Sequence, residues 1–155
     1  MAMALHVLSD RRLKSIAEWQ RAINADGFQL RLASDVDFAT ARGFVPATLD
    51  SNQTGFECYQ DDAMETLRFL GVTHFTHFWK YALGLRWGAD FTQLEASWMA
   101  ATSYAAATGG IIFDHEEGRV FTPQQGGVLV ARFVADRPRS KAFLDELERK
   151  YSSRP

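Results

Sequence analysis

The run FTHFWKYALGLRWGAD, residues 75 to 90, constrains the fold more than any other stretch of the chain. One parity carries Phe75, His77, Trp79, Tyr81, Leu83, Leu85 and Trp87, and the other Thr76, Phe78, Lys80, Ala82, Gly84 and Arg86. That period of two belongs to a long strand with one strongly apolar face, the spine of a sheet. The face has to be covered, and the next segment can cover it. Asp90 stands where it caps a helix through FTQLEASWMAATSYAAAT, with Gln93 in the reciprocal capping position and Gly109 as the stop. Its alanines let a helix lie close to a sheet, while Leu94, Trp98, Ala101 and Ala105 share one side.

Further elements follow from the same local rules. Ser15 and Glu18 form a capping box for a short amphipathic helix that keeps Ile16 and Ile23 on one side and ends at Gly27. Phe28, Leu30 and Leu32 alternate with Gln29 and Arg31 as a strand. GFVPATLD and GFECYQ read as two strands around SNQT, and Pro46, which has no N–H for a ladder, places its strand at a sheet edge or a bulge. DDAMETLRFLG suggests a short helix, and IIF and RVF two short strands around DHEEG. Thr122, Pro123 and Gln125 open a segment in which residues 126–135 fit either helix or strand, because Gly126 and Gly127 weaken a helix and VLVARFV suits a strand. Phe143, Leu147 and Tyr151 mark a terminal helix with one apolar stripe. This order predicts a single α+β domain over residues 1–155, with an antiparallel or mixed sheet and helices packed mainly on one face.

Charge and cysteine content narrow the function classes. Seventeen basic against nineteen acidic residues give a net charge of -2 without long like-charged blocks, so the footprint of a nucleic-acid binder is missing. No segment has the run of about 18 apolar residues that a membrane span needs, and MAMALHVLSDRR has its basic residues on the wrong side of its apolar part for a secretory signal. The single Cys58 suits a reducing compartment, and the expected location is cytoplasmic.

Few side chains suggest chemistry. Asp114, His115, Glu116 and Glu117 offer oxygen ligands and an imidazole, but adjacent residues point in different directions, and polar residues ending at Gly118 are what a hairpin loop needs. His74 and His77 form HxxH, which a strand sends to opposite faces, so no shared metal is expected. Cys58 reads as inert packing. Ser97 and Ser103 lie in the alanine-rich helix and not in a GxSxG elbow. Neither glycine pair completes a phosphate loop or a dinucleotide fingerprint. No catalytic residue, metal or cofactor is assigned. Glu57 on the parity opposite Phe56 and Cys58, together with Arg86, is a candidate pair for a polar ligand.

Taken together, SIAEWQRAINADGFQLRL, TGFECY, LRWGADF and TGGIIFDHEEG resemble blocks found in small bacterial α+β proteins, some of which are similar to the immunity proteins that accompany polymorphic toxins. The resemblance spans about Ser15 to Gly118 and names no enzyme. It implies a protein that works by binding another protein, such as a bacterial toxin, although a charge of -2 shows no strongly acidic blocking face. The expected function is therefore a non-catalytic protein-binding module. Arg86 and Tyr59 are candidate anchors, and Trp79 and Trp87 fit the core better. The alternative is a small-molecule-binding protein or a hydrolase-like enzyme with a pocket between helix and sheet, built from Asp114, His115, Glu57 and His77. A self-associating protein is the third possibility, since oligomeric state is not legible in the sequence.

Overall fold

The structure, a computed structural model, describes residues 3–35, 38, 42–88 and 90–152, with the side chains of 140, 141, 144, 147, 148, 151 and 152 outside that description. Four helices and a seven-stranded antiparallel sheet follow the order β1 (Met3–Ser9), α1 (Ile16–Ala25), β2 (Leu30–Leu32), β3 (Gly43–Leu49), β4 (Asn52–Asp62), α2 (Ala63–Phe69), β5 (Tyr81–Trp87), α3 (Phe91–Thr108), β6 (Ile111–Asp114), β7 (Arg119–Phe121) and α4 (Pro123–Ser152). The strands lie side by side as β2-β3-β4-β5-β1-β6-β7. This is the expected α+β domain, with the sheet purely antiparallel.

The main core lies between one face of the sheet and α1, α3 and the first half of α4. Leu5 and Val7 of β1, Val45 of β3, Phe56 and Cys58 of β4, and Leu83 and Leu85 of β5 point into it. Helix α3 is buried continuously from Glu95 to Ala105. A helix built mainly of apolar and small residues on all sides belongs in the middle of a structure, and its alanines allow the close approach. At the centre Trp19 packs against Phe38, Phe56 and Tyr104 with ring centroids 5.1, 5.7 and 5.5 Å away.

The caps form as their sequences dictate. Ser15 accepts from the Glu18 N–H and Asp90 from the N–H groups of Thr92 and Gln93, while Gly109 closes α3 in the left-handed conformation at φ 68°. Thr122 and Gln125 exchange both bonds of a capping box, 2.9 and 3.1 Å. Gln20 spans α1 and the edge strand, donating to the Leu30 carbonyl at 2.8 Å and accepting from the Leu32 N–H at 2.7 Å. It thereby occupies part of an edge that would otherwise be free to pair.

Several expectations require correction. The long strand begins at Tyr81, not Phe75. Residues 72–80 form a loop that folds over the second face of the sheet, where Val72, Phe75 and Trp79 pack with α2 on Leu8, Ala82 and Phe113. Alternating apolar residues there serve a loop lying on a surface, and the parity by which His74 and His77 were separated does not exist. Trp87 is core, as expected, whereas Trp79 is half-buried in this loop.

The hairpin turn between β3 and β4 is Asp50–Ser51, with φ of 48° and 71°, and not the SNQT interval, whose last three residues continue into β4. Positive φ at both central residues makes a two-residue turn of the type that matches strand twist. Pro46 is not on an edge strand, because β3 pairs with both β2 and β4. Its carbonyl accepts from the Ala33 N–H at 2.9 Å, so its ring nitrogen faces the same side, just past the end of the three-residue β2, where no ladder bond is needed. Residues 126–135 are helical, part of a continuous α4 that includes Pro138. The apolar stripe expected at Leu147 and Tyr151 lies outside the described side chains, and Phe143 is exposed. Strand β1, which no pattern had indicated, is central, between β5 and β6.

Candidate functional site

The second face of the sheet is covered only in part. α2 and the loop 72–80 lie over Leu8, Ala82 and Phe113, and the remainder, across β3, β4, β5 and β1, carries most of the residues singled out from sequence. Register places them in two adjoining rows. In one, Phe44 pairs with Glu57, Glu57 with Arg86, and Arg86 with Ala4. In the next, Tyr59 pairs with Gly84, Gly84 with His6, and His6 with Phe113. Glu57 and Arg86 are both exposed and Tyr59 half-buried. The Tyr59 hydroxyl donates to the Glu57 carboxylate at 3.1 Å. Desolvation first, and then this bond to Glu57, raises the phenol above its ordinary range.

Gly84 supplies the relief of this face. A side chain there would stand over the His6 ring and the Tyr59 carbonyl, both about as near as ordinary van der Waals contact. Its absence lets the His6 ring lie close over the β5 backbone, and Gly84 is buried. Burial first and the neighbouring His115 second hold the His6 imidazole below its ordinary range, with Asp61 pulling the other way, and Nδ1 of His6 is buried without a hydrogen-bond partner. Phe44, 56% exposed, provides an aromatic surface beside Glu57. Aromatic area, a guanidinium and a carboxylate on a flat pleated surface have the composition of a contact face.

Asp114 and His115 sit in the β6–β7 hairpin. The Asp114 carboxylate accepts from the Glu117 N–H at 3.4 Å, and residues 115 to 118 are exposed, as a solvated turn requires. His115 follows Phe113 on the second face, 6.2 Å from it between ring centroids, and approaches His6. Glu57 lies three strands away from this hairpin, roughly 14 Å at the usual strand spacing. His77 is in the loop, 2.6 Å from Asp10, whose other oxygen accepts from the Lys80 N–H. The structure thus brings Glu57, Tyr59 and Arg86 together, places His115 at the margin of the same face, and leaves Asp114 and His77 in separate surroundings. Among the described residues no three His, Cys, Asp or Glu side chains group as a metal site.

Sequence reasoning missed a second polar group. Arg137 on α4 donates through Nε to both oxygens of Glu95 on α3 (2.9 and 2.6 Å) and through Nη1 to Asp50 in the β3–β4 turn at 2.5 Å. The hydrogen bond to Glu95, ahead of that to Asp50, raises the guanidinium further above its already high range. The only local signal was a glutamate in an otherwise small and apolar helical run, where a charge must find a partner once buried. Compared with known proteins, the chain matches no family model, no curated protein and no solved structure. Among the described residues no helix is long and apolar enough to cross a membrane.

Proposed function

We propose that this protein is a non-catalytic binding module that covers a partner protein with the open part of its second sheet face, as a bacterial, cytoplasmic immunity protein covers a toxin. The observation that carries the reading is the adjacency of Phe44, Glu57, Tyr59 and Arg86 on one uncovered surface. Tyrosine and arginine are among the side chains that supply most of the binding energy at interfaces. Glu57, held by Tyr59, adds a charged acceptor of fixed position. The immunity role rests on the resemblance of the sequence blocks alone.

The test begins with affinity capture from the native host, identification of a stoichiometric partner, and titration of that purified partner against the wild type and against Arg86→Ala, Tyr59→Ala and Phe44→Ser. Each substitution is expected to weaken binding by about tenfold or more in a protein that stays folded by circular dichroism. Recovery of no partner, or a partner bound equally well by all three variants, would overturn the reading.

A further inference from the structure

Where the β3–β4 turn meets the start of α3 and the middle of α4, the surface opens into a cleft of about 720 Å³. That size lies within the range of about 300 to 1,000 Å³ typical of small-molecule sites. Phe91, Leu94 and Phe133 form apolar walls, and Phe91 is 49% exposed although it opens a helix whose other large side chains turn inward. Asp50, Glu95, Asp136 and Arg137 provide the polar lining.

The charges in the lining select the ligand. Three carboxylates, Asp50, Glu95 and Asp136, surround one guanidinium, Arg137, so the lining carries 1 − 3 = −2. Arg137 is already committed to Glu95 and Asp50, and Glu95 is held with only 7% of its side chain exposed. An anion would have to draw Arg137 away from that buried carboxylate, which would leave a desolvated charge without its partner. A cation meets the opposite situation. Asp50 and Asp136 line the cleft, Oδ1 of Asp50 and the Asp136 carboxylate accept no hydrogen bond among the described residues, and Phe91 and Phe133 supply aromatic rings, whose faces attract positive charge. Asp50 is also positioned in advance: its N–H donates to the Gln29 carbonyl at 3.2 Å and its backbone is fixed in the tight turn. We propose that this cleft binds a small organic cation, an amine or amidinium carried on an apolar or aromatic body. The site is separate from the sheet face, and either can fail without the other.

Benzamidine serves as the probe, with neutral benzamide and anionic benzoate as its isosteric comparators, titrated into the full chain and followed by amide and arginine Nε–H resonances. Saturable shifts are expected at Phe91, Leu94 and Arg137 with benzamidine, binding about tenfold weaker with benzamide, and none at the cleft with benzoate. Asp50→Asn suits the left-handed backbone and keeps an acceptor for Arg137 while removing one charge, so it should weaken benzamidine about tenfold without loss of fold. Phe91→Ala should do the same by removing a wall. Absence of saturable shifts at these residues, equal binding of the three probes, or unchanged benzamidine affinity in Asp50→Asn would each overturn the proposal.

Discussion

The Trp19 indole N–H donates to the Ala100 carbonyl at 2.9 Å, joining α1 to the middle of α3 across 81 residues of sequence. Trp19 is fully buried, and Ala100 lies in a turn of α3 that is itself buried on all sides. The bond fixes the ring orientation from which Trp19 reaches Phe38, Phe56 and Tyr104 together. Trp19→Phe should cost about 1–3 kcal/mol and Trp19→Ala about 3–5 kcal/mol, the second through an unfilled cavity. Urea unfolding reads this as a lowered midpoint at constant slope. A Trp19→Phe variant as stable as the wild type would show that the indole bond and its extra ring contribute nothing.

Gly126 and Gly127, adjacent in α4, should respond to alanine with opposite signs. Both forgo up to about 1 kcal/mol of helix propensity. At Gly126 a Cβ would stand 2.6 Å from Thr102 Oγ1 and 2.8 Å from Ile112 Cδ1, whereas at Gly127 nothing lies within 4 Å. Gly127→Ala should therefore stabilise by roughly 0.5–1 kcal/mol, while Gly126→Ala should lose about 1–3 kcal/mol to overpacking between α4, α3 and β6. Thermal melting of the two variants decides it, and a stabilised Gly126→Ala would mean that α4 does not approach α3 so closely.

Cys58 should be chemically silent in the native state. Its side chain has no exposed surface, and burial pushes the thiol up to about 12. Reaction with a disulfide reagent needs thiolate and access, and Cys58 has neither at neutral pH. Labelling should be negligible in buffer and stoichiometric in denaturant. Rapid labelling of the folded protein would contradict the packing of β4 against α3.

What the sequence revealed of this architecture was what local chemistry encodes. The caps at Ser15, Asp90 and Thr122 and the left-handed glycine at 109 depend on residues three or four apart, so they were readable before any contact was known. The same holds for the β6–β7 hairpin around its polar turn. Strand β1 escaped notice because its run is short: Leu5 and Val7 face the main core, while on the other parity only Leu8 is covered, Ala4 and His6 being half-buried, so no clean alternation remains. The loop 72–80 imitated a strand because Phe75, His77 and Trp79 share a parity with β5, yet the residues that turn to the sheet, Val72, Phe75 and Trp79, are three and four apart and His77 is exposed. Glu57, Tyr59 and Arg86 were candidates from sequence because parity along a single strand sets them opposite the core residues Phe56, Cys58 and Leu85. Phe44 and Gly84 joined them only through register. The Glu95–Arg137 pair spans 42 residues and two helices, and no periodicity reports such a contact.

His6 gives stability a dependence on pH in the mildly acidic range. Its folded-state pKa lies below the ordinary value of 6.5 because burial, and then the nearby His115, disfavour the imidazolium more than Asp61 supports it. Between the folded and unfolded values the unfolded chain binds a proton that the native state refuses, so stability rises with pH across that window. The contribution is complete above 6.5 and is lost as pH falls from there through the folded value. Asp10, lowered chiefly by its hydrogen bond to His77, acts in a separate window: its contribution is present above 3.8 and is lost at lower pH. Urea midpoints should accordingly fall between about pH 7.5 and about pH 5 in the wild type, and His6→Gln should flatten that dependence. His115→Gln should weaken it by removing the second cause. An equal fall in His6→Gln would place the titrating group elsewhere and would mean that the ring on the open face is solvated after all.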